Sequence, residues 1–100
     1  MEATLESLRM DLTALPGGDL VTRGLEDLRA GRRTVEALLV EIGAPRLRAC
    51  GLDVPDGPGS PERALYDLLV EENPEGAHGR YNALVRRLVS FERALECTSR

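Results

Sequence analysis

The sequence predicts an all-α fold, a compact helical bundle of four main helices plus a short helical turn. Three observations carry this. Apolar residues recur at intervals of three and four along most of the chain, which is the helical period. No alternation of apolar and polar residues, the mark of a half-buried strand, runs for more than a few positions. The apolar content is aliphatic, since the aromatics are Tyr66, Tyr81 and Phe91 alone, and Leu, Ala and Val suit close helix-on-helix packing.

The first helical segment places Leu5, Leu8, Leu12 and Leu15 on one face, a heptad-like seam that Pro16, Gly17 and Gly18 stop. A second helix is expected over 20–30, capped by Asp19, carrying Leu20, Val21, Leu25 and Leu28, and ended by Gly31. Thr34 is the expected cap of a third, with Glu36 in its first turn and Val35, Leu38, Leu39 and Ile42 as its stripe. Gly43 should end that helix, and Pro45 should open a short helical turn that Gly51 closes.

Residues 53–60 hold prolines, glycines and aspartates and read as a loop joining two halves of one domain, 1–100. Ser60, Pro61 and Glu62 then combine a hydroxyl cap, a proline that loses nothing at the first helical position, and a carboxylate at the positive helix end. The helix they start runs with Leu65, Leu68 and Leu69 to Glu72, where Asn73 and Pro74 break it. After a polar connection over 75–79 comes the longest helix, with Tyr81, Leu84, Leu88, Phe91 and Leu95 on one face. Val85 and Val89 widen that face enough to touch neighbours on two sides.

At 100 residues the chain is about one domain, long enough to bury one core. No run of apolar residues is long enough to span a bilayer and no secretory pattern opens the chain, so neither a membrane nor export is expected. Cys50 and Cys97 are far apart and form no paired framework, which points to a reducing, cytoplasmic setting. Cys50 is expected in the core and Cys97 exposed.

Chemistry is sparsely signalled. His78, the single histidine, sits in the expected connection before the last helix with no thiolate pair or Glu-x-x-His spacing, so no metal or other cofactor is expected. Ser60, Ser90 and Ser99 sit in no nucleophile elbow, and the Gly-Pro clusters lack the strand and lysine of a phosphate loop. A non-enzymatic protein is therefore expected. An enzyme built around His78 with Tyr81 or Asn82 is the third-ranked reading.

The chain carries 13 cationic side chains, all arginine, against 17 carboxylates, for a formal net charge of −4. Residues 53–76 hold seven acidic groups and Arg63, whereas 77–100 hold five arginines with Glu92 and Glu96. The simplest expectation is that the acidic helix pairs with the Arg-rich last one. The functional alternative is a nucleic-acid or phosphate-ligand surface made of Arg80, Arg86, Arg87 and Arg93, joined by Arg32 and Arg33.

Residues 35–52 resemble the helix-turn-helix DNA-binding unit, with Leu38, Ile42, Gly43, Ala49 and Leu52 near the expected positions. Leu39 stands where a small residue is wanted, and Pro45 and Gly51 curtail the recognition helix. Together with the acidic balance this makes DNA binding the less favoured partner class, because phosphate neutralisation supplies much of such affinity. The leading expectation is a protein-protein interaction module that binds itself as a homodimer, or binds another protein. Its candidate face holds Val85, Val89, Leu8 and Leu12.

Overall fold

The structure, a computed structural model, describes residues 12–57 and 59–98. Within them lie four helices and no strand: α1 Gly18–Arg29, α2 Val35–Ala49, α3 Pro61–Glu72 and α4 Ala77–Thr98. The expected all-α bundle is what is found. The leucine seam begins outside the described residues, at Leu5 and Leu8, whereas Leu12 and Leu15 are half-buried against the core.

α2 is the centre of the bundle, packing on α1, α3 and α4. Its burial is broader than an amphipathic stripe: Ala37, Leu38, Leu39 and Val40 are consecutive and all buried. A helix with neighbours on several sides needs apolar residues nearly all round. One core cluster draws on all four helices, from Val21 and Leu25 through Leu39 and Leu65 to Phe91 and Leu95.

The helix ends show which local signals act. Thr34 caps α2, its hydroxyl accepting from the Ala37 N–H at 3.1 Å. Gly31 and Gly51 take the positive φ of 77° and 97° that residues with a Cβ avoid, closing α1 and α2. Pro61 occupies the first turn of α3.

Four expectations are corrected. The N-cap of α1 is Gly17, and Asp19 lies inside the first turn, where it pairs with Arg87 instead of capping. Ser60 sits in the left-handed region at φ 52° and makes no cap hydrogen bond, so Ser60→Ala removes none. α4 begins at Ala77, taking in most of the expected connection, because Ala77 is buried in the core and the Gly76 carbonyl accepts from the Arg80 N–H at 3.0 Å.

The fourth correction is the largest. α2 does not stop at Gly43 but continues through Pro45 to Ala49, so the separate helical turn does not exist. Pro45 costs the helix a hydrogen bond and ring strain, about 3 kcal/mol in an unsupported helix. Burial of Leu47 beyond it, and of Ala44 just before it, offsets that cost. With no turn between two helices, the likeness to helix-turn-helix ends there.

The loop after α2 is tied down by arginines that composition alone does not single out. Arg48 donates to the Val54 carbonyl from Nε at 3.0 Å and from Nη2 at 2.8 Å, and its Nη2 also reaches the Asp56 carboxylate at 3.1 Å. Arg29 donates to the Asp53 carbonyl at 3.2 Å. Val54 is thereby pinned in the core.

Candidate functional site

Three places hold polar or aromatic side chains in arrangements that packing alone does not require. The first is the corner between α1 and α2. Asp27, 8% exposed, accepts from the Thr34 hydroxyl at 2.7 Å on one oxygen and from Arg32 Nε at 3.0 Å on the other. The Thr34 hydroxyl and the Arg32 guanidinium, in that order of effect, hold the Asp27 carboxyl below its ordinary range. Thr34 therefore joins a helix cap to an interhelical hydrogen bond.

A depressed folded pKa contributes stability above the unfolded value of about 4, and that stability is lost as pH falls through the folded value. Asp27→Asn is accordingly expected to melt at a lower temperature than the wild type at pH 7. The gap should close as the pH is lowered below about 4, the ordinary aspartate range. Thermal melts from pH 7 to pH 3 test this, and a constant gap would show that the carboxylate charge contributes nothing.

The second place is where α4 crosses α2. Glu92 is 4% exposed and lies against Gly43, at which an added Cβ would stand 2.7 Å from a Glu92 carboxylate oxygen and 2.9 Å from Leu88. Burial pushes the Glu92 carboxyl up, Arg46 at 3.3 Å opposes the shift, and Glu96 adds to it. Arg46 meets Glu96 more closely, at 2.6 Å. Gly43 is thus a notch for a carboxylate and a leucine, not a helix terminator.

The third is a groove between α3 and α4, of about 320 Å³ and open to solvent, lined by Glu62, Arg63, Tyr66, Asp67 and Tyr81. The two rings meet edge to face at 5.8 Å. Tyr66, 38% exposed, is the large hydrophobic residue left in water among those described. The helical stripe names Tyr81 as a core-facing residue, but nothing in the periodicity brings Tyr66 to it.

The candidate arginines do not form one cluster. Arg32 is engaged by Asp27 at 2.9 Å and Arg87 by Asp19 at 3.4 Å. Arg33, Arg80, Arg86 and Arg93 are exposed, and their side chains have no hydrogen-bond or ion-pair partner among the described residues. Arg86 and Arg93 share one face of α4 by their seven-residue spacing, and Arg80 and Arg87 share another.

The expected pairing of the acidic helix with the Arg-rich one fails in detail. α3 and α4 are neighbours, yet no ion pair among the described residues joins them. The carboxylates of α4 itself, Glu92 and Glu96, are taken by Arg46 of α2, and Arg87 is taken by α1. Which arginine meets which carboxylate depends on the crossing of α2 and α4, which the charge count does not contain.

Of the candidate oligomer face, Val85 and Val89 are half-buried on α4, Leu12 is half-buried against the core, and Leu8 lies outside the described residues. His78 is on the first turn of α4 rather than in a loop, exposed, with Nε2 at 3.3 Å from the Asn82 amide nitrogen. Cys50 is half-buried and Cys97 exposed, both as free thiols. Among the described residues no group of three or more His, Cys, Asp or Glu side chains is placed to hold a metal ion. No helix among them is long and apolar enough to cross a membrane.

Comparison of the chain with protein-family models, with curated proteins and with solved structures finds no match.

Proposed function

We propose that this protein is a non-enzymatic helical interaction module that self-associates in a reducing, cytoplasmic setting, using the strip of α4 that carries Val85 and Val89. The observation that supports it best is the position of these two valines. They stand one turn apart, only half-buried, beside the exposed Arg86 and Arg93, whose side chains have no partner among the described residues. Apolar side chains rimmed by arginine make the composition of a protein interface, where arginine is enriched and lysine and glutamate are depleted. A twofold arrangement would set the same strip of two copies against each other, removing both valines from water.

Light scattering behind a sizing column, at low and moderate salt, tests this reading. The expected mass is twice 10.9 kDa at both salts, and Val89→Glu should return the chain to a monomer without loss of helical signal. A wild-type monomer at high concentration would overturn it.

The alternative reading, an anion-binding accessory protein for nucleic acid or phosphate ligands, is favoured by one observation: Arg33, Arg80, Arg86 and Arg93 spend their charge on no internal carboxylate among the described residues. That reading requires retardation of mixed oligonucleotides at low salt, falling steeply as salt rises. It does not survive if none is seen.

A further inference from the structure

We propose that the groove between Tyr66 and Tyr81 is a docking site for an arginine-bearing segment of a partner protein. This surface adjoins the valine strip, Tyr81 lying one turn before Val85 on α4, and takes its other lining residues from α3. Its floor is aromatic. The edge-to-face pair at 5.8 Å leaves ring surface facing the solvent, Tyr66 being 38% exposed. Tyr81 rests against the core while Tyr66 is exposed, and among the described residues neither phenol hydroxyl has a hydrogen-bond partner, so both polar tips are left for a ligand.

The rim supplies the sign of the ligand. Glu62 and Asp67 line the groove and form no ion pair among the described residues, not even with Arg63 beside them. Further along α3, Glu71 and Glu72 are exposed and form no ion pair among the described residues, so this helix presents four carboxylates against one arginine. An aromatic face carries negative potential and attracts cations, more strongly where water is displaced. Carboxylates at the edge of such a face repel anionic ligands and orient cationic ones.

Between the two cationic side chains the arrangement favours arginine. A guanidinium stacks flat on a phenol ring while its N–H edge stays free to donate to a carboxylate at the rim, whereas a lysine ammonium offers a point charge without a stacking plane. A groove open to solvent admits such a side chain from an extended or helical segment.

The chain has no Trp and only two Tyr, both in this groove, so intrinsic tyrosine fluorescence reports on the groove alone. The full chain is to be titrated with a capped tetra-arginine peptide and, separately, with a capped tetra-glutamate peptide. The expected result is a saturable fluorescence change with the arginine peptide only, weakened as salt is raised. Binding should fall about tenfold or more in the Glu62→Gln, Asp67→Asn double variant, which keeps both tyrosines and alters only exposed side chains.

No saturable change, an equal response to the glutamate peptide, or unaltered binding by the double variant would each overturn the proposal. A fluorescence change on concentrating the Val89→Glu variant alone would assign the groove to a second copy of the chain and overturn it too. Repeating the titration on Val89→Glu separates the two readings, since loss of dimerisation through the valine strip leaves the groove intact.

Discussion

Phe91→Ala is expected to lower folding stability by about 4 kcal/mol, a large fraction of the roughly 5 to 15 kcal/mol that a domain of this size has in hand. Phe91 is 0% exposed and heads the fully buried side chains by volume. Its Cβ lies where the start of α1 packs on α4: a Cβ built on Gly17 would stand 3.5 Å from it. Loss of the ring removes the transfer energy of a phenyl group and leaves a cavity between elements that cannot collapse without moving α1. Urea unfolding followed by helical signal measures the loss. A value under about 1 kcal/mol would place the ring outside the core, since full burial of a Phe is worth more than that. Full burial also removes Phe91 from any seam between two chains, although its place in the heptad-like stripe of α4 would allow one.

Gly24→Ala carries the second largest expected effect, and its sign is the instructive part. An interior glycine lowers helix propensity, so on local grounds alanine here should stabilise α1 by about 1 kcal/mol. The contact between α1 and α2 reverses this. A Cβ on Gly24 would run into the Glu36 carbonyl oxygen and the Val40 side chain, and would stand 2.9 Å from the Glu36 carbonyl carbon. The obstacle is backbone, which cannot swing aside as the tip of a side chain can. The two helices would have to separate, and the expected cost is about 3 kcal/mol, at the upper end for overpacking a core. Gly79→Ala is the control. It lies in α4 with nothing within 4 Å of its would-be Cβ, so propensity alone should govern it. A gain of about 0.5 to 1 kcal/mol is expected. Thermal melts of the two variants side by side check the contrast, and equal shifts would mean that α1 and α2 do not approach as closely as Gly24 implies.

The two carboxylates with displaced titrations show the same dependence on neighbours. Asp27 and Glu92 are both acidic residues on helices, and nothing in their local sequence distinguishes them. One is held down by a hydroxyl and a guanidinium at the α1–α2 corner, and the other is pushed up by burial at the α2–α4 crossing. Opposite shifts therefore arise from what meets each carboxyl, hydrogen-bond donors at Asp27 and burial at Glu92.

Much of the fold can be read residue by residue from the chain. Thr34 as a cap, Gly31 and Gly51 as left-handed closures, Pro61 in a first turn and Pro74 as a breaker each work through bonds and sterics within a few residues. Such signals are local and survive without knowledge of the rest of the molecule. The leucines and Phe91 likewise mark the buried faces, because helical period alone decides which residues share a side.

Other features were settled only by the packing. Gly43 and Pro45 read locally as a stop and a restart, yet α2 passes through both, since Leu88 and Glu92 need the space at one and the core needs Leu47 beyond the other. The six candidate arginines separate into engaged and free ones according to whether α1 or the α1–α2 corner brings a carboxylate within reach. Tyr66 and Tyr81 become a groove because α3 turns back along α4. Caps, breakers and periodicity are properties of neighbours along the chain and can be read in one dimension. Notches, ion pairs and grooves are properties of neighbours across helices, and they exist only once the crossing of those helices is set.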